Sequence, residues 1–163
     1  MPRILANLFG GWGRLRRWFP AATMVRIRDA ITAGEIAHGG EICFAVETRL
    51  SWVDLLERVD ARRRAHQAFA ELGVWDTADN GGVLIYALLA ERRVEIVADR
   101  GITARVDAQA WQRVCDLVVE GFRGEDPAGG VLAAIQALHE LLAAAMPASP
   151  DNTCELPDDP VVL

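Results

Sequence analysis

Two patterns of apolar residues alternate along this chain. One is the short unbroken run; the other is the longer stretch in which apolar positions recur every three or four residues. The first predicts strands buried on both faces, the second amphipathic helices. Val83 to Leu89 is an unbroken run entered from Gly81 and Gly82, and Ala90-Glu91-Arg92-Arg93 is a charged turn after it. Val94 to Ala98 then predicts a returning strand, ended by Asp99-Arg100-Gly101, so the whole reads as a buried hairpin. Upstream, Glu41 to Glu47 is apolar on both faces between two acids and predicts another inner strand.

Helical spacing fills the rest. Met24, Ile27 and Ile31 predict a helix stopped at Gly34, and Ser51 and Asp54 form a capping box for a helix running to Gly73 along Leu55, Leu56, Val59, Phe69 and Leu72. Arg58, Arg62, Arg63 and Arg64 would be its wet side. Asp107 caps a helix carrying Trp111, Val114, Cys115, Val118 and Phe122, and Val131, Ile135, Leu138 and Leu142 predict a last helix ending before Pro147. Thr103 to Val106 suits a short edge strand. Strand, helix, strand from Glu41 to Leu89 implies a right-handed crossover with parallel strands, and the hairpin adds a third strand antiparallel to the second. The expected fold is therefore α/β, a three-layer α/β/α sandwich with a small mixed sheet. Three regions result: a basic amphipathic segment over 1–20, the α/β/α domain over 21–147, and a disordered acidic tail over 148–163 with four acids and three prolines.

Composition narrows the chemistry. The 163 residues hold 17 arginines and no lysine, which removes Schiff-base and P-loop lysine mechanisms. Of two serines, Ser51 begins a helix and Ser149 lies in the tail, so a serine nucleophile is not expected. Three scattered cysteines without a CxxC pair fit a reducing compartment and a core role for Cys43 and Cys115, and argue against a zinc site. Cys43 and Arg49 have the C-x5-R spacing of cysteine phosphatases, but the residues between them contain no glycine to form a phosphate loop. A net charge of −6 speaks against nucleic acid as a partner.

The strand directions bring His38, Glu41, Asp76, Asp79, Asn80, Asp99 and Arg100 to one edge of the sheet. Asp76, Asp79, Asn80 and Asp99 offer hard oxygen ligands that suit Ca2+ or Mg2+, with Arg100, Glu41 and His38 as phosphate or partner contacts. Asp79-Asn80-Gly81 is also ordinary turn chemistry. The expected function is a module that binds a divalent cation or a protein partner, with no organic cofactor. The alternative is a metal-assisted phosphatase in which a bound ion activates water and Arg100 steadies the phosphate. Residues 3–19 combine Arg3, Arg14, Arg16 and Arg17 with Trp12, Trp18 and Phe19 and no acid. They suit either a peripheral contact with an anionic membrane or a helix packed on its own domain.

Three blocks carry a family resemblance: Val74-Trp75-Asp76 with Asn80 to Ile85; Arg93 to Ile96 with Asp99 to Ile102; and Phe122 to Gly130. In order and spacing these resemble the TPM domain over roughly residues 39 to 146. The resemblance implies an α/β/α sandwich, with calcium bound at the loop edge in some members and acid phosphatase activity proposed for plant lumenal ones. The chain is similar to the short soluble bacterial type, which implies a cytoplasmic domain, peripheral at the inner membrane surface if its N-terminal segment binds there.

Overall fold

The computed structural model describes residues 3–9, 11–149 and 154–163. Strand β1 (Glu41–Glu47) lies parallel to β2 (Gly82–Leu88), with Glu41 beside Gly82 and Glu47 beside Leu88. Both are buried along their whole length, which explains why neither alternates polar with apolar residues. β3 (Arg93–Ala98) returns antiparallel to β2 through a turn in which Arg92 takes a left-handed φ of 51°.

The fourth strand, β4 (Val161–Val162), comes from the segment expected to be a disordered tail. It pairs parallel with Ala45 and Val46, and the Leu163 N–H donates to Val46 O at 2.9 Å. Leu156, Val161 and Leu163 pack on the core beneath, so three apolar side chains among the acids hold residues 154–163 on the strand edge. Residues 150–153 of that tail lie outside the described residues. The sheet order is β3-β2-β1-β4.

Among the described residues the helices are α1 (Arg3–Phe9), α2 (Trp12–Trp18), α3 (Ala21–Glu35), α4 (Trp52–Leu56), α5 (Ala61–Glu71), α6 (Arg100–Thr103), α7 (Ala108–Arg123) and α8 (Pro127–Ala145). Successive strand residues point to opposite faces. Ile42, Phe44, Val46, Val83 and Ile85 meet the buried residues of α3, α7 and α8, while Cys43, Ala45, Leu84 and Tyr86 meet Ala61, Ala65 and Ala68 of α5. The architecture is the α/β/α sandwich with a mixed sheet. α8 has the length and apolar composition to cross a membrane, yet it buries Val131, Ile135, Leu138 and Leu142 in the larger core.

Three local expectations change. The single helix from Ser51 to Gly73 is two: the capping box at Ser51 starts α4, Arg58 turns the corner at φ 55°, and the Asp60 carboxylate accepts from Arg63 N–H at 2.7 Å to start α5. A second N-cap thus outweighs a continuous apolar stripe, and Leu56 ends 82% exposed. Arg64 is not on a wet face. Its side chain is 11% exposed and pairs with Glu47 at 2.9 Å and Glu71 at 3.0 Å, and Glu47 also accepts from the Tyr86 hydroxyl. Thr103 to Val106 forms no strand, because Asp99 caps α6 there.

The N-terminal helices lie across the edge where β1 and β2 end. Asn7 Oδ1 accepts from Leu50 N–H at 2.8 Å, Arg3 pairs with Glu91 and reaches Val59 O, and Arg14 donates to Leu89 O and Ala90 O. Trp18 and Phe19 are buried in the larger core, and Ile4, Leu5 and Trp12 stay exposed.

Candidate functional site

At the other edge β1 and β2 begin and β3 ends. The Glu41 N–H donates to Gly81 O and the Asp99 N–H to Gly82 O, so these loops are tied to one another. Asn80 takes a left-handed φ of 52°, its Oδ1 accepts from Arg100 Nε at 3.0 Å, and its carbonyl accepts from Gly101 N–H at 3.1 Å. Asp99 Oδ1 accepts from the Arg100 N–H at 2.7 Å, while Asp99 Oδ2 is buried without a hydrogen-bond partner. Of the expected ligand set, Asn80 and Asp99 therefore meet around Arg100. Asp79 and Asp76 are exposed, with Asp76 in the turn after α5, where its N–H donates to Gly73 O at 2.9 Å.

A different trio converges more tightly. Ligand atoms of Glu35, Glu41 and Cys154 all lie within 4.8 Å of one another, the one such group of three among the described residues. Glu35 ends α3, Glu41 opens β1, and Cys154 is brought in by the returning C-terminal segment, whose Glu155 N–H donates to Glu41 Oε1 at 3.2 Å. Glu41 is 4% exposed, and Glu35 Oε1 is buried without a hydrogen-bond partner. Burial, then the charges of Glu41 and Asp158, hold the Glu35 carboxyl up at about 8. Burial likewise raises Glu41. Partial desolvation and the same two glutamates push the Cys154 thiol up to about 12. Cys154 falls in the stretch expected to be disordered, so no spacing in the sequence points to this grouping.

His38 also finds a partner 101 residues away: its Nε2 lies 2.7 Å from His139 Nδ1 inside the protein. His139 Nε2 faces Ala30 O at 2.9 Å. A carbonyl only accepts, so Nε2 carries the proton and the neutral ring offers Nδ1 to His38 Nε2–H. His38 Nδ1 then accepts from the Gly40 N–H at 3.3 Å. Gly34 makes room for the pair, since a Cβ there would fall onto the His139 ring. Burial pushes His38 down to about 4 and His139 below its ordinary value. Cys43 is an inert core thiol, raised to about 11 by burial.

No curated protein sequence matches this chain. Among solved structures, the NMR structure of the BA42 protein from the psychrophilic bacterium Bizionia argentinensis sp. nov. is similar at 26% identity with a TM-score of 0.76, covering 88% of this chain and 94% of that one. The family model for the TPM domain matches residues 17–141, from α2 through the sheet into α8. The order of blocks around the hairpin, the mixed sheet between helical layers and that match together make this chain a member of the TPM domain family.

Proposed function

We propose that the chain is a divalent-cation-binding module whose ligands are the carboxylates of Glu35 and Glu41, with Asp158 and Cys154 beside them. The observation that carries this is Glu35 Oε1, a buried carboxylate oxygen with no hydrogen-bond partner, within a cluster that crowds like charges together. A crowded carboxyl group of this kind keeps its proton unless a cation replaces it. Carboxylate oxygens outnumber the one thiol in this donor set, which fits a hard cation such as calcium or magnesium.

Calcium and magnesium titrations followed by backbone amide shifts test the reading. Signals from residues 35–41 and 154–158 should move at millimolar cation, and Glu35→Gln with Glu41→Gln should abolish the movement. Shifts confined to residues 76–82 and Asp99 would transfer the site to Asp76, Asp79, Asn80 and Asp99, the set that the unpartnered Asp99 Oδ2 favours. Silence at both groups would end the proposal. Phosphomonoester hydrolysis at this edge would require turnover that rises with the same cation and falls in Arg100→Gln.

A further inference from the structure

The edge opposite the carboxylates gathers positive charge around a cavity. Where β2 turns into β3 and α7 ends, Arg92, Arg93 and Arg123 line a space of about 290 Å3 walled by Val94, Val119 and Phe122, with no acid in its lining. Among the described residues none of the three arginines pairs with a carboxylate. Of the acids close in the chain, Glu91 is engaged by Arg3 at 2.6 Å, Glu95 by Arg62 at 3.6 Å and Glu125 by Arg17 at 2.8 Å, while the exposed Glu120 lies one turn before Arg123 and outside the cavity lining.

Directly behind Phe122 stands Trp18, edge-on to it at 5.5 Å. Trp18 is 5% exposed, and its indole N–H is buried with no acceptor. Arg92 lies over this ring at 5.5 Å and Arg14 at 5.8 Å. Arg14 is fixed by Leu89 O and Ala90 O, and burial and the nearby Arg92 both lower its hold on its proton. Guanidinium groups thus crowd one another around an indole that has a donor to spare.

The geometry points to a phosphate-binding site: a phosphoryl group held by Arg92, Arg93 and Arg123, next to the indole of Trp18. Three planar forks match the several oxygens of a phosphoryl group, where one carboxylate would satisfy a single arginine. The C-terminal end of α7 opposes an anion through its dipole, but that is a fraction of one charge against three. This site is independent of the cation reading. The seven residues of β2 set the two edges apart by roughly 20 Å, so they do not form one metal-assisted phosphatase centre. A soluble phosphate ester and a phospholipid headgroup present the same chemistry to it.

The test follows the Trp18 indole N–H signal, assigned with Trp18→Phe, as sodium phosphate and then pyrophosphate are added to the full chain at constant ionic strength. The same protein is co-sedimented with phosphatidylglycerol-phosphatidylcholine vesicles. The signal should move and saturate. Arg92→Gln, Arg93→Gln and Arg123→Gln combined replace exposed residues and should weaken binding at least roughly tenfold with an unchanged melting temperature. Arg26→Gln, on the exposed side of α3, should leave binding as it was. Saturation by soluble phosphate without vesicle binding identifies a free phosphate ester, and vesicle binding lost in the triple variant identifies a headgroup. A Trp18 signal indifferent to both phosphates with no arginine-dependent pelleting, or equal responses from the triple variant and the unaltered chain, would overturn the proposal.

Discussion

His38 and His139 hold one proton between facing nitrogens, and a second proton would set two N–H groups against each other inside the core. Folded His38 protonates only near 4, against an ordinary value of 6.5 that the unfolded chain recovers. Between those values the unfolded state binds more protons, so stability is full above about 6.5 and falls as the pH drops toward 4. Denaturant midpoints measured across that window should decline, and His38→Gln should flatten the decline. Glu35 acts in the opposite sense. Its folded carboxyl protonates near 8 rather than 4.5, so the native state binds the extra proton and stability falls as the pH rises between the two. Glu35→Gln should therefore raise the midpoint more at pH 8 than at pH 5 in cation-free buffer. Equal gains at both would mean that burial, and the charges of Glu41 and Asp158 after it, do not hold this carboxyl up.

At the scale of elements, β4 is two residues long yet sets the fate of the C-terminal segment. Val161 packs beside Leu156 and Leu163 on the core that α5 covers, and it holds Cys154 and Glu155 near Glu41. Val161→Asp would put a charge at a half-buried strand position beside Ala45 and should destabilise the protein by about 1–3 kcal/mol, read from thermal or urea unfolding. It should also loosen the Glu41 contact. β1 and the hairpin were legible because an inner strand must be apolar on both faces, and α3, α7 and α8 because one face of each is buried. The missed features depend on closer competitors or on distance. The break before α5 turns on a cap at Asp60 set against an apolar stripe that runs through it. The segment from Thr103 looks extended by composition, whereas Asp99 makes it a turn of helix. β4 is too short for any pattern to reveal. At the site, the edge was legible from strand direction alone, but the pairing of His38 with His139 and of Cys154 with Glu35 needs tertiary closure. Asp76 shares the edge without reaching the others, since nothing in turn chemistry states which way a loop folds.

Across the whole molecule the two ends of the sheet differ in charge. Glu35, Glu41, Asp79, Asp99 and Asp158 gather where β1 and β2 begin, and Arg14, Arg92, Arg93 and Arg123 gather beyond where they end. The separation of roughly 20 Å exceeds the screening length of about 8 Å at physiological salt, so ligands at the two ends should bind without sensing each other's charge. Midway between the helical layers, the single tyrosine of the chain, Tyr86, is fully buried and donates its hydroxyl to Glu47 Oε2, the same oxygen that accepts from Arg64 Nε. Burial and the Glu47 charge push the phenol far above its ordinary range, so it cannot ionise while the sheet is closed. On alkaline titration the near-ultraviolet band of tyrosinate should emerge in one step with the loss of far-ultraviolet dichroism; emergence while the dichroism is native would mean that the ring is reached by solvent. Light absorbed by one phenolate then counts opened molecules directly, giving this protein an internal dye for its own unfolding.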